Sequence, residues 1–203
     1  MNNGAGVSSL AALARQEAMC RRCGLYQNAT TVVPGEGARH ARLMLVGEQP
    51  GDHEDRAGKP FVGPAGKMLD RALEEIGIER DTIFVTNAVK HFKFEWRGKR
   101  RLHARPNTSE VEACRWWLDH ERSLIRPAVI LAMGGTAARG VFGRAVTIAK
   151  ARGVTHALAD GTRVRVTIHP SFLLRLRTAA DKAVEYARFV ADIRAAADLT
   201  RGD

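Results

Sequence analysis

The stretch "RLMLVGEQPG" (residues 42–51) joins a short apolar run to a loop that contains glycine and proline. An apolar run of this length that ends at a glycine is typical of a buried β-strand. After the loop, "AGKMLDRALEEIG" (residues 65–77) repeats apolar side chains at helical spacing up to a terminal glycine. The sequence therefore predicts a strand, a loop and a helix, which is the repeating unit of an α/β fold.

Further strands and helices extend this pattern along the chain. The strands are predicted at 82–87, 128–135 and 164–170, and the helices at 8–19, 108–125 and 181–199. Ser109 and Glu112 suggest a capping box at the start of the second of these helices. Residues 143–163 are expected to form a variable connection or a β-hairpin with "ADGT" as its turn. The alternation predicts a three-layer α/β/α sandwich with a central four-stranded, mainly parallel sheet.

The length of 203 residues fits one globular domain over residues 1–203. An N-terminal helix and a C-x-x-C motif are expected at about residues 8–23. No run of about 18 apolar residues is present, and the N-terminus lacks the pattern of a secretory signal, so we expect a cytoplasmic protein that does not enter a membrane. A monomer is expected because no heptad seam is present.

The charge of the chain favours a polyanionic partner. The formal net charge is +10 and the pI is about 10.2, which attracts nucleic acid at long range, although an excess that only aids solubility is the alternative. "KHFKFEWRGKRRLHARP" (residues 90–106) contains seven Lys or Arg and two His around one Glu. We predict this stretch to be a loop that follows the second strand.

Polar side chains follow the predicted strands at their carboxyl ends. Glu48 and Gln49 follow the first strand, Asn87 ends the second, and His169 ends the fourth. Ligands of open parallel sheets bind beyond the carboxyl ends of the strands, where these side chains would meet. This edge of the sheet is the predicted ligand site.

Four motifs resemble those of the uracil-DNA glycosylase superfamily, in its family 4 branch, which carries an iron–sulfur cluster. They are "GEQPG" (47–51), "GKPFVGPAG" (58–66), "TNAVK" (86–90) and "HPSFLLR" (169–175), and they occur in the family's order. The resemblance covers roughly residues 17 to 195. It implies a glycosylase that flips uracil out of the DNA stack into a pocket.

The resemblance implies a role for Phe61 and for each polar residue at the strand ends. Phe61 would stack on the flipped uracil, and Asn87 would bind its O4 and N3 edge. His169 would donate a hydrogen bond to O2 as negative charge develops on the leaving base. Glu48 would lie near the sugar, and Gln49 would contact uracil or fix the loop. The alternatives are core packing for Phe61, a turn for Asn87, and a carboxylate satisfied by backbone amides for Glu48.

The resemblance also implies a four-iron, four-sulfur cluster. Cys20, Cys23 and Cys114 match three of the four cysteines that hold the cluster in family 4, and His91 occupies the fourth position. Histidine replaces cysteine on the iron of some clusters. A structural zinc site built from the same four residues is the alternative.

The basic stretch departs from an ordinary family 4 member and resembles the UdgX group. The mark of that group is a "KRRIH"-type loop together with "GEQPG", and residues 99–103 read "KRRLH". In the UdgX group the loop histidine bonds covalently to the deoxyribose after uracil leaves, which implies that role for His103. Lys99, Arg100 and Arg101 would attract DNA and orient the loop. The alternative is a phosphate-binding loop in which His103 is an ordinary polar residue.

Three functions remain open from the sequence. The first is a uracil-DNA glycosylase that ends as a covalent adduct through His103. The second is a family 4 glycosylase that turns over many times with water as the nucleophile. The third is a DNA-binding module that carries a metal and has no enzymatic activity. The partner is uracil-containing DNA for the two glycosylases and DNA in general for the binding module.

Overall fold

The structure is a computed structural model that describes residues 7–201. In chain order its helices and strands are α1 (Leu10–Glu17), β1 (Glu36–Gly37), β2 (Leu43–Gly47), α2 (Asp52–Ala57), α3 (Pro64–Glu75), β3 (Phe84–Asn87), β4 (Phe94–Arg97), β5 (Arg100–His103), α4 (Thr108–Ile125), β6 (Val129–Met133), α5 (Gly135–Phe142), α6 (Ile148–Ala151), β7 (His156–Ala157), β8 (Arg163–Thr167), α7 (Ser171–Arg175) and α8 (Ala179–Asp198). None of the helices within residues 7–201 has the length and apolar character needed to cross a membrane.

The main sheet has the order β1-β3-β2-β6-β8-β7. Its four central strands pair in parallel and are the four strands that the sequence predicts. The prediction of a four-stranded sheet is wrong at the two edges, where β1 and β7 pair antiparallel with their neighbours. Each edge strand is only two residues long, too short for a recognisable alternation of apolar and polar side chains.

Apolar side chains cover both faces of the sheet. In β2, Leu45 points into the cluster that contains residues of α3 and α8, whereas Met44 and Val46 point into the cluster that contains residues of α4 and α5. This division follows from the two-residue period of a strand. The three-layer α/β/α arrangement predicted from the sequence is confirmed.

The basic stretch is more ordered than predicted. Strands β4 and β5 form an antiparallel hairpin in which Phe94 lies opposite His103 and Arg97 lies opposite Arg100. Gly98, with φ of +59°, allows the tight turn between them. The prediction of a loop is wrong because the seven basic residues mask the alternation of Phe92, Phe94 and Trp96 on one face.

The start of α4 and the connections after β2, β6 and β8 also differ from the predictions. Asn107, not Ser109, caps α4: its side chain accepts from the backbone N–H of Glu110, whose carboxylate accepts from the N–H of Asn107. Helices α2, α5, α6 and α7, which have four to eight residues, lie in segments that were predicted as connections. The predicted hairpin in 143–163 is present as the pairing of β7 with β8, preceded by α6.

Candidate active site

A cavity of about 470 Å³ opens at the carboxyl ends of the central strands. Its lining includes all six residues that the sequence assigns to catalysis or to uracil: Glu48, Gln49, Phe61, Asn87, His103 and His169. Asn87 ends β3 and His103 ends β5, whereas the other four lie in the connections that follow β2 and β8. The parallel strands β2, β3 and β8 end at the same edge and so bring their final and following residues together, and the separate hairpin β4–β5 adds His103.

One wall of the cavity depends on the close approach of Phe61 and Asn87 to β2. A Cβ atom on Gly47 would lie 2.5 Å from Phe61 Cζ and would also collide with Asn87 Oδ1, so only glycine fits there. Phe61 is buried and has a φ of +56°, a conformation that residues other than glycine rarely adopt. Such strained residues concentrate at functional sites.

The side chain of Asn87 has an unsatisfied polar atom inside the cavity wall. Asn87 is buried, and its Oδ1 has no hydrogen-bond partner among residues 7–201. An unpaired buried acceptor costs free energy, which a ligand that donates a hydrogen bond would recover. The amide can present one donor and one acceptor together, as the N3–H and O4 of uracil require.

His169 is held as a neutral imidazole. Its Nδ1 accepts from the backbone N–H of Ser171 at 3.2 Å and lies 2.8 Å from the Ser171 hydroxyl. Burial lowers the pKa of His169 from 6.5 to about 4, against the opposing effect of Glu48. The single ring proton is therefore on Nε2, and a neutral donor remains for an acceptor in the cavity.

Glu48 is an ionised carboxylate that contacts His103. The Thr136 hydroxyl donates to Glu48 Oε2 at 2.6 Å, and His103 Nε2 lies 3.2 Å from Glu48 Oε1. Burial would raise the pKa of Glu48, but the hydrogen bonds from His103 and Thr136 outweigh it and lower the pKa to about 2. Thr136 was not predicted as a site residue, although its position directly after the strand-end "MGG" is a signal that indicates one.

Gln49 connects the cavity to both ends of the hairpin. Its amide nitrogen donates to the carbonyl oxygens of Lys93 at 3.0 Å and of Ala104 at 3.1 Å, and its Oε1 accepts from the N–H of Lys93 at 3.0 Å. Both the amide nitrogen and the amide oxygen of Gln49, the groups that would bind uracil, are therefore hydrogen-bonded to the base of the hairpin. The uracil contact of Gln49 stays a prediction.

Arg101 fastens the hairpin to α2. Its guanidinium pairs with Asp52 at 2.5 Å and with the fully buried Asp55 at 2.6 Å, and it lies over the rings of Phe92 and Phe94. Only 6% of the Arg101 side chain is exposed. The hydrogen bonds that Arg101 makes are all with other residues of the protein. Its contact with DNA stays a prediction. Lys99 and Arg100, at the tip of the hairpin, are exposed.

The sequence matches a known protein family over most of its length. The profile of the family described as "Uracil DNA glycosylase superfamily" matches residues 34–194. The chain belongs to the uracil-DNA glycosylase superfamily.

Three curated members of the superfamily, each named a type-4 uracil-DNA glycosylase, show how much of the chain is shared. The protein from Thermotoga maritima is 40% identical over 160 residues, which cover 78% of this chain and 80% of that protein. The protein from Sulfurisphaera tokodaii is 37% identical over 68% of this chain and 60% of its own length. The protein from Archaeoglobus fulgidus is 34% identical over 83% and 84%.

The three cysteines of this glycosylase-like chain gather beside α4. Cys20 and Cys114 belong to one buried apolar cluster, and Cys23 packs against it. Trp117 Nε1 donates to Cys20 Sγ at 3.1 Å, and the N–H of Lys90 donates to Cys114 Sγ at 3.2 Å. The buried His91 follows Lys90 directly in the chain. Three cysteines, one histidine and N–H donors directed at two of the sulfurs are the chemistry that an iron–sulfur cluster takes.

The described part of the chain has no preformed site for a single metal ion. Residues 7–201 contain no group of three or more His, Cys, Asp or Glu residues placed to hold one ion. Both the cluster and its zinc alternative stay predictions.

Lys90 lies in the interior and not on the basic surface. Its side chain is fully buried and donates to Glu121 Oε2 at 2.7 Å, to the Thr86 hydroxyl at 2.5 Å and to the carbonyl oxygen of Asn87 at 3.0 Å. Burial alone would lower the pKa of Lys90, but the carboxylates of Glu121 and Glu17 raise it. The lysine thereby holds the backbone of Asn87, which the sequence could not indicate.

Proposed function

We propose that this protein excises uracil from DNA and then becomes bonded to the deoxyribose through His103. The observation that carries the proposal is the contact of His103 Nε2 with Glu48 Oε1, 3.2 Å, at a cavity that Phe61, Asn87 and His169 also line. The proposed nucleophile, the Glu48 carboxylate and the residues that would bind the base thus line the same cavity. The 40% identity with a type-4 uracil-DNA glycosylase supports the choice of uracil as the base.

The base would be held and activated for departure on one side of the cavity. Uracil stacks on Phe61, and Asn87 satisfies its N3–H and O4 edge. When the C1′–N1 bond breaks, its electron pair moves onto the uracil, and charge collects on O2. The Nε2–H of His169 donates to that oxygen, so the hydrogen bond is stronger in the transition state than before reaction.

The sugar would be stabilised and trapped on the other side. Glu48, ionised at neutral pH, offsets the positive charge of the oxocarbenium-like deoxyribose. His103 then attacks C1′ with an imidazole lone pair, and a C–N bond forms. The imidazole loses one proton in the reaction and the uracil anion gains one, so the products are neutral uracil and a histidine–deoxyribose adduct. Holding His103 beside the sugar gives it a high effective concentration relative to water.

The second candidate is a family 4 glycosylase that turns over with water as the nucleophile. The type-4 relatives, which match most of this chain, favour it. The two candidates share the uracil pocket, and they differ only in whether His103 or water attacks C1′.

We also propose that Cys20, Cys23, Cys114 and His91 hold a four-iron, four-sulfur cluster. The support is the gathering of the three cysteines at α4 and the N–H groups that donate to two of the sulfurs. When bound, such a cluster would supply structural crosslinking between the N-terminal segment and α4. No step of the proposed reaction passes through it.

The substitution His103→Ser tests the nucleophile. The wild-type protein, incubated with uracil-containing single-stranded DNA, is expected to give a stable shifted band on a denaturing gel. His103→Ser is expected to give no shifted band while uracil is still released, because serine leaves room for water beside C1′.

His40→Ser is the matched control, since His40 is an exposed residue that does not line the cavity. It is expected to form the adduct as the wild type does. A shifted band from His103→Ser would refute the assignment of His103. An abasic product from the wild type without a shifted band would favour the second candidate, and the absence of both products would favour a DNA-binding module.

A further inference from the structure

We propose that Trp96 is a stacking platform for an unpaired base of the DNA strand, next to the uracil. The inference rests on the proposed function in taking uracil-containing DNA as the partner. It assigns Trp96, outside the cavity on the hairpin β4–β5, to the recognition of single-stranded DNA.

Trp96 ends a row of aromatic rings on one face of the hairpin. Phe92, Phe94 and Trp96 alternate along the chain, with ring centroids 5.1 Å apart for the first pair and 5.4 Å apart for the second. Phe92 is 2% exposed and lies 6.3 Å from the ring of His103. The row therefore leads from the proposed nucleophile outward to the surface.

The outer end of the row is open. Trp96 is 68% exposed, and no hydrogen bond of its indole N–H to another of the residues 7–201 is present. By contrast, Trp117 is buried and donates to Cys20 Sγ. Because Trp96 meets Phe94 edge to face, with an interplanar angle of 89°, an incoming base can pack against the indole without displacing Phe94.

Positive charge lies next to the open ring, in the turn and on the opposite face of the hairpin. Arg97 and Arg100 lie opposite each other in the register, on the face away from Trp96, and Lys99 is in the turn. All three cations are exposed, and no ion pair of theirs is found within residues 7–201; Glu95 is the one acidic residue of the hairpin. Proteins hold single strands with exposed aromatic rings and nearby cations: the cations attract phosphates and the ring stacks on a base.

The spacing places Trp96 within reach of a neighbouring nucleotide. Trp96 lies opposite Arg101, two residues before His103 on β5, which corresponds to roughly 7 Å along the strand. That distance is about twice the 3.4 Å rise of one nucleotide in a stacked strand. A base one or two nucleotides from the uracil can therefore reach the ring. In a duplex such a base is stacked on its neighbours, so the contact favours single-stranded DNA.

The first test measures binding to a uracil-free thymidine oligonucleotide by fluorescence anisotropy, which requires no chemistry at His103. Trp96→Leu is expected to weaken binding about 5- to 20-fold, since stacking of one base on an aromatic residue is worth this much or more. Trp96→Phe keeps an aromatic face and is expected to retain most of the affinity. Val184→Ala, which shortens an apolar side chain on α8 that is 62% exposed, is the control and should have no effect.

The second test locates the stacked base. Uracil-containing single strands, each lacking one base at a flanking position, are compared for the rate of uracil release at low substrate concentration. The wild type is expected to lose rate at one position, and Trp96→Leu is expected to be insensitive there. This readout holds whether or not an adduct forms, so it is separate from the test of His103.

Two results would overturn the proposal. One is Trp96→Leu binding the thymidine strand as tightly as the wild type does. The other is Trp96→Phe losing as much affinity as Trp96→Leu while circular dichroism shows both variants folded, because Trp96 would then act by packing the hairpin and not by stacking.

Discussion

His169 illustrates how the surroundings of one residue decide its chemistry. The backbone N–H of Ser171 occupies Nδ1, and burial disfavours the charged ring. A neutral imidazole donates a hydrogen bond without needing a proton from solvent, which suits the role proposed for His169 opposite the leaving base.

This state of His169 predicts the pH dependence of uracil release. With a pKa of about 4, His169 is neutral above roughly pH 5, so it loses no proton as the pH rises through its ordinary pKa of 6.5. In the His103→Ser variant, which removes the other histidine of the proposed reaction, single-turnover release should not fall between about pH 6 and 8. A fall centred near pH 6.5 would mean that a charged His169 is the donor.

Gly47 is predicted to be indispensable to the base-binding wall. In Gly47→Ala the new methyl group would press on Phe61 and Asn87, and both would have to move away from uracil. We expect uracil release to fall at least tenfold and the free energy of unfolding to drop by about 1–3 kcal/mol. The measurements are single-turnover release and urea denaturation.

Gly24→Ala is the control for this substitution, since a Cβ atom there would meet nothing within 4 Å. If Gly47→Ala released uracil at the wild-type rate, the close approach of Phe61 and Asn87 would have no functional value.

At the scale of elements, the hairpin β4–β5 carries His103 to the cavity. Within residues 7–201 its two strands pair only with each other, and it is held to the rest of the molecule by Gln49 at its base and by Arg101 against α2. Such attachment is what a nucleophile requires, because a small displacement of the reacting atom costs much of its effective concentration.

Gln49→Ala separates the two roles predicted for Gln49. The substitution removes three hydrogen bonds to the hairpin backbone. If Gln49 acts as an anchor, the ratio of adduct to released uracil should fall about tenfold, because His103 is misplaced while the uracil pocket persists. The ratio is measured in one reaction, from the shifted band and the free base. An equal loss of adduct and of released uracil would indicate that Gln49 contacts uracil.

At the scale of the whole molecule, the cysteine site joins segments that are distant in the chain. Cys20 and Cys23 follow α1, whereas Cys114 lies in α4. Helix α1 packs on α4 over a small apolar cluster, so a cluster ligated from both sides would add to the stability of the N-terminal segment.

The proposed cluster predicts a brown protein with visible absorption and about four irons per chain. The substitution His91→Cys should retain both iron and colour, because a thiolate can take the place of the imidazole. Removal of the iron by a chelator should lower the melting temperature. A colourless protein that contains one zinc per chain would refute the cluster.

Much of the fold could be predicted from the sequence because its signals are local. The four central strands are short apolar runs, and parallel strands place their final residues at one edge whatever the details of packing. That is why Glu48, Gln49, Asn87 and His169 could be assigned to one site, whereas Phe61 was added by the family resemblance. The two-residue edge strands and the short helices could not be predicted, since segments of this length carry too little periodicity.

The sequence by itself determined the order of the four central strands and of the long helices, the family motifs and the position of His103 in a basic stretch. Only the tertiary structure decided what the surrounding residues do. Arg101 meets Asp55 across 46 residues of chain, and Gln49 meets Ala104 across 55. Lys90 looks like part of a basic surface but is buried against Glu121. Whether a polar or charged side chain is buried, and which group it pairs with, depends on the distant segments that the fold brings together. The sequence shows the charge but not its partner.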